Sequence, residues 1–257
     1  MGASLDDIAS PGRDPWCSNQ ANRRDVTEMD TNNINDIGHR SPAAGSHPGH
    51  SGKECTMNGV WYRNGDIEIT DLPECSARPL AAFVQWCNDT LAGPDGYLSP
   101  RNSARAFSLA MQTVGTAGVS DRVIHAWIAA LLANPIWGVI RYVKGAAGKA
   151  IRDIAELHCR AAAGEPVRVD VWGAADSAAR AVTPTLDPAG RYAVRAAYQS
   201  IGPVHSESGT TMDVVTGNAV LAHAQASESD TLALAGHAVQ AWRRLAGMDS
   251  LAIPAAA

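Results

Sequence analysis

Large side chains are scarce in this 257-residue chain: aromatics account for 5% of it, and only two residues are phenylalanine. Because 46% of the chain is nevertheless hydrophobic, and much of that is alanine, the core must form by close approach of small residues, which favours tightly packed helices. Five cysteines, an odd number with no Cys-x-x-Cys pair, exclude a disulfide framework of the secreted type. The opening "MGASLDDIASPGRDPW" has no basic segment followed by an apolar one, so the expected location is cytoplasmic. A net charge of -5 and a pI of 5.9 supply no general attraction toward nucleic acid or an anionic membrane.

Motifs of chemistry are also missing. There is no Gly-x-Ser-x-Gly elbow, no Gly-x-Gly-x-x-Gly, and no Gly-x-x-x-x-Gly-Lys-Ser/Thr; "KGAAGKA" at 144–150 lacks the first glycine and the final hydroxyl of a phosphate loop. The histidines show neither His-x-x-x-His spacing nor a nearby cysteine pair, so no metal and no cofactor is expected. Cys87 and Cys159 read as small residues on apolar helical faces.

What is present is a change of texture along the chain. Residues 1–56 are rich in Asp, Asn, Ser, Gly, Pro and His without sustained period, and read as a disordered tail or a translated leader. Gly52, Lys53 and Glu54 can be encoded by a purine run of the kind bacterial ribosomes recognise, spaced from Met57 by two codons, so the working protein is expected to begin there. From 57 to 257 a single alanine-rich helical domain is expected. Asn64-Gly65 between "VWYR" and "DIEIT" predicts a small β-hairpin, Val60 to Thr70.

Helical periods then follow one another. Ser76 is placed as the cap of "ARPLAAFVQWCNDTLA", Ser99-Pro100 opens the next helix, and Ser120 the third. Asn134-Pro135 is read as the start of a long helix through "IWGVIRYVKGAAGKAIRDIAELHCRAAA", kinked near Gly145 to Gly148 and closed by Gly164. Four more segments, "VDVWGAADSAARAV", "AGRYAVRAAYQSI" started by Asp187-Pro188, "TTMDVVTGNAVLAHAQA" and "TLALAGHAVQAWRRLAGM" capped by Ser229 or Asp230, bring the total to about eight. The fold class is mostly α: a multi-helix bundle with a small N-terminal hairpin, preceded by a disordered segment. The uncharged run 123–140 has the length of a short membrane span, but Asn134-Pro135 divides it into two helices.

Two groups of residues are candidates for function. On a continuous helix Arg141, Lys144, Lys149 and Arg152 would share one arc, a basic stripe suited to an anion or an acidic protein partner. His158, Asp213, His223, Asp230 and His237 could form a polar cluster for acid-base work if the last helices fold back on each other.

The stretches "CRAAAGEPVRVDVWGAADSAARAV" and "DPAGRYAVRAAYQSI" resemble the alanine-rich helical immunity proteins in their Arg160 to Glu165 turn and the alanine helix after it. That resemblance covers at most a third of the chain and implies a small all-α protein that binds another protein, with no catalytic residues to carry over. The leading expectation is therefore a non-enzymatic protein-binding factor of bacterial or phage origin, of immunity or antagonist type, with self-association as a further option. The alternatives are an enzyme built on the scattered His/Asp cluster and a membrane-associated helical protein.

Overall fold

The residues that this computed structural model describes are 42–45, 55–58, 60, 72–202, 210–226 and 230–248; they include eight α-helices of twelve residues or more, several opened by a proline or a side-chain cap, and 56–58 and 60 are helical as well. All of them fall in the unit Gly38–Ala257. The helices are α1 (Arg78–Leu91), α2 (Pro100–Gln112), α3 (Asp121–Ala133), α4 (Gly145–Ala162), α5 (Val169–Val182), α6 (Pro188–Gln199), α7 (Thr210–Gln225) and α8 (Thr231–Leu245). The described residues contain no strand beyond isolated bridges, so the mostly helical fold expected from the sequence is the observed one. The hairpin expected over Val60 to Thr70 lies, Val60 apart, outside the described residues.

Several starts follow the sequence signals. Ser99 accepts from the Asn102 amide ahead of Pro100, Asp187 from Gly190 at 2.7 Å ahead of Pro188, and Asp230 from Ala233 at 3.0 Å, each satisfying an amide the helix cannot. Ser76 departs from its expected role. The residue at the cap of α1 is Ala77, and the Ser76 hydroxyl instead bonds Thr113 Oγ1 at 2.8 Å while the Ser76 backbone bridges Val114, tying α1 to the end of α2.

The long helix expected from Pro135 is also corrected. Asn134 Oδ1 accepts from the amides of Ile136 and Trp137, a local turn that competes with helix, and a single 3-10 turn, Val139–Tyr142, follows. Val143 and Lys144 are extended, and Gly145 enters α4 at φ +56°, a conformation that side chains with a Cβ resist. The segment expected to kink is thus the N-terminus of a separate helix. Among the described residues no helix is long and apolar enough to cross a membrane.

Helix α7 is central. It packs against α1 on one side and α6 on another, and Val215 to Val220 are all buried, as required of a helix enclosed on every side. The polar residues of that buried stretch bond within the helix: Thr216 Oγ1 donates to Met212 O at 2.9 Å and Asn218 Nδ2 to Val214 O at 2.7 Å. Indoles join it and its neighbours. Trp86 on α1 donates to Asp213 O at 3.0 Å, Trp127 on α3 to Ala238 O on α8 at 2.9 Å, and Trp242 on α8 to Thr116 O at 3.3 Å. Phe83, Trp127 and Trp242 meet edge to face with centroids 6.2 and 5.4 Å apart, so three rings from α1, α3 and α8 form the middle of the alanine-rich core.

A smaller apolar cluster lies on the other side of α1, where Cys55, Met57 and Val60 contact Ala81, Val84 and Ala110. Thr56 Oγ1 donates to Asn88 Oδ1 at 2.7 Å, and Asn88 Nδ2 to Ala43 O at 2.9 Å. Residues on both sides of Met57 therefore lie against α1: Ala43, Cys55 and Thr56 are buried there although their surroundings in sequence read as a tail.

Gly217 is required by this packing. A Cβ there would lie 2.5 Å from Trp86 Cε2, whereas the helical Gly173 on α5 has open space. Gly217→Ala should cost about 1–3 kcal/mol through displacement of the indole, while Gly173→Ala should stabilise by up to about 1 kcal/mol; urea unfolding of the two variants measures both, and a harmless Gly217→Ala would contradict the contact.

Candidate functional site

The histidine-centred arrangement in the described residues is one that spacing does not reveal. α3 and α4 pack side by side, which places His125 Nδ1 2.9 Å from His158 Nδ1, and the end of α6 brings Ser200 Oγ 2.9 Å from His158 Nε2. Trp172 of α5 stands edge to face against the His158 ring at 4.9 Å. Four helices thus meet at one imidazole.

Donor and acceptor roles follow from the end of the chain of bonds. The carbonyl of Ala197 can only accept, so the Ser200 hydroxyl donates to it at 2.6 Å, and the Ser200 oxygen accepts from His158 Nε2–H. Neutral His158 then has a bare Nδ1, which accepts from His125 Nδ1–H. The relay ends on a backbone carbonyl, and its serine has already committed its proton. Ser200 and His158 are also 2% and 1% exposed, so the group acts as a hydrogen-bonded knot between helices rather than as a nucleophile and base. Burial, with His125 beside it, pushes His158 down to about 3.

Of the remaining members of the expected polar cluster, His223 and Asp230 lie close enough to interact electrostatically, while Asp213 and Asp230 each pair with an arginine. Asp213 pairs with Arg78 at 2.9 Å and ties α7 to α1; Asp230 pairs with Arg105 at 2.8 Å and ties the start of α8 to α2. The Arg105 hydrogen bond, the Ala233 amide and the nearby His223 hold the Asp230 carboxyl below its ordinary range. His223 is buried on α7, with Nδ1 2.6 Å from the Tyr142 hydroxyl, and His237 is on the exposed side of α8. His158, Asp213, His223 and Asp230 thus each bond to a different partner, with His223 near Asp230, and His237 is exposed. Among the described residues, no three His, Cys, Asp or Glu side chains come together as ligands for a metal ion.

The basic stripe is likewise redistributed. Arg141 lies in the 3-10 turn, Lys144 at the N-cap of α4, and only Lys149 and Arg152 are on the helix, so the shared arc that a continuous helix would create does not arise. All four are exposed, and Lys149 is paired with Asp153 at 2.6 Å. Sequence reading missed Ser200, Trp172 and Tyr142 as partners because each belongs to a different helix from the histidine it meets.

Comparison with protein-family models, with curated proteins and with solved structures yields no match to this chain.

The neutral, buried His158 makes stability depend on acid. The unfolded chain protonates this group near 6.5 and the folded chain only near 3, so stability present above pH 6.5 is lost as pH falls toward 3. The slope from this group is about 1.4 kcal/mol per pH unit. Urea unfolding at pH 7 and pH 5 should therefore show a larger acid loss for the native chain than for His158→Gln, and equal losses would mean that folding does not hold the ring neutral.

Proposed function

We propose that this chain is a non-enzymatic helical binding factor of immunity or antagonist type, bacterial or phage in origin, which meets a partner protein through α5. The observation that supports this reading is the poor burial of a largely apolar helix. Ala179 is the single buried residue of α5, Val169 is 86% exposed and Val171 37%, and Gly173, Ala174, Ala178 and Ala181 are exposed beside them. Small side chains let a second helix or strand approach the backbone closely, and covering the valines removes apolar area from water at about 25 cal/mol per Å².

The location agrees with the resemblance. α5 and α6 are the two segments that look like the immunity proteins, and those proteins act by occupying another protein. α4 and α5 pack against each other and are joined by residues 163–168, and the exposed Lys144, Lys149 and Arg152 at the start and first turns of α4 supply charges for a polar rim of the kind protein interfaces carry.

A photo-reactive residue at Ala174 or Ala178, introduced in the source cells, should trap one discrete polypeptide. Val169→Asp combined with Ala174→Asp should abolish the adduct, and Lys144→Glu with Arg152→Glu should weaken it, while the unfolding midpoint stays unchanged because all four side chains are exposed. Absence of any discrete adduct, or one that survives the aspartates, would remove α5 as the docking face.

A further inference from the structure

Beyond α5, the outer face of α6 carries a groove whose chemistry points to a ligand of another kind. It has a volume of about 460 Å³ and is lined by Thr183, Pro188, Arg191, Tyr192, Arg195, Tyr198 and Gln225, with no carboxylate among them. Arg191 and Arg195 are four residues apart and so stand one turn from each other, about 6 Å between their Cβ atoms. Both are exposed, and among the described residues no acidic side chain pairs with either. The nearest acid in sequence, Asp187, is engaged in capping α6.

The aromatic side of the groove is held in place. Arg180 lies 4.1 Å from the centre of the Tyr198 ring, and its own charge is balanced by Asp176 at 2.8 Å. It therefore fixes the tyrosine without adding to the charge of the groove. What remains is two guanidinium forks without a counter-charge among the described residues, beside two phenol rings and an amide, in a chain whose net charge is -5.

We infer that this groove binds a phosphate monoester carrying an aromatic or heteroaromatic ring. Two guanidiniums match the charge of a monoester, which is about -1.5 to -2 at neutral pH, and their planar forks suit its several equatorial oxygens better than the pair of a single carboxylate. The groove is larger than a phosphate group requires. Tyr192, Tyr198 and Pro188 provide apolar surface on which a ring can lie, and the Gln225 amide and Thr183 oxygen are available to its polar edges. Thr183 already donates its proton to Ala179 O, so it can only accept there. This inference does not depend on α5 docking a protein.

Titration calorimetry on the full chain tests it, with phenyl phosphate as the minimal probe, adenosine 5′-monophosphate and free phosphotyrosine as the two natural sources of the same chemistry, and inorganic phosphate and acetate as controls. Phenyl phosphate should bind at one site, inorganic phosphate about tenfold more weakly and acetate not measurably, since a tenfold change corresponds to about 1.4 kcal/mol of ring contact. Arg191→Ala and Arg195→Ala should each weaken phenyl phosphate about tenfold, the loss expected for one charge-assisted contact, with unfolding midpoints unchanged; Tyr192→Ala should bring phenyl phosphate down to the level of inorganic phosphate. The natural source is the one that binds more tightly. No heat from any monoester at millimolar concentration, equal affinity for inorganic and phenyl phosphate, or binding that survives the double arginine substitution would each overturn the assignment.

Discussion

The interaction on which this fold depends is the seating of a few indoles among alanines. A core made of methyl groups brings helix backbones close but offers little area per residue, and large rings must then supply both volume and direction. Trp127 does this between α1 and α8, touching Phe83 on one edge and Trp242 on the other while its N–H reaches the carbonyl of Ala238. Because each buried indole also carries a donor that must be satisfied, its position is specified to within hydrogen-bonding distance, which plain hydrophobic contact would not achieve. Trp86, lying against the bare backbone of Gly217, extends the same principle to the central helix.

Polar groups complete what the rings begin. The His125–His158–Ser200 chain links α3, α4 and α6 in an otherwise apolar region, and Asn88 joins Thr56 and Ala43 to α1 on the opposite side. Arg78–Asp213 and Arg105–Asp230 do similar work in solvent, where screening and side-chain entropy leave each pair worth about 0–1 kcal/mol. The surfaces proposed for binding lie where this satisfaction stops. α5 keeps valines and alanines in water, and the groove on α6 keeps two guanidiniums without counter-charge among the described residues.

Much of the helical grammar was legible. Ser99-Pro100, Asp187-Pro188 and Asp230 start helices because a side-chain oxygen and a fixed φ act locally, over three or four residues. The same logic misplaced Ser76, whose hydroxyl finds Thr113 across 37 positions, and read Asn134-Pro135 as a helix start where the asparagine folds a turn instead. The stripe drawn through Arg141, Lys144, Lys149 and Arg152 inherited that error, since its arc assumed one unbroken helix. Spacing was equally silent about the partners of the five polar residues: Asp213 and Asp230 each pair with an arginine on a separate helix, more than a hundred residues away in the chain.

The sequence by itself determined that the chain would be helical, where most helices begin, and that small residues would have to pack closely, because composition, period and capping are properties of neighbours along the chain. The tertiary structure alone decided which histidine faces which, that α7 is enclosed while α5 is not, and that Arg191 and Arg195 share a concave surface with two tyrosines. Burial and pairing depend on which helix lies alongside, and an alanine-rich face, similar from helix to helix, does not announce its partner until the indoles select it.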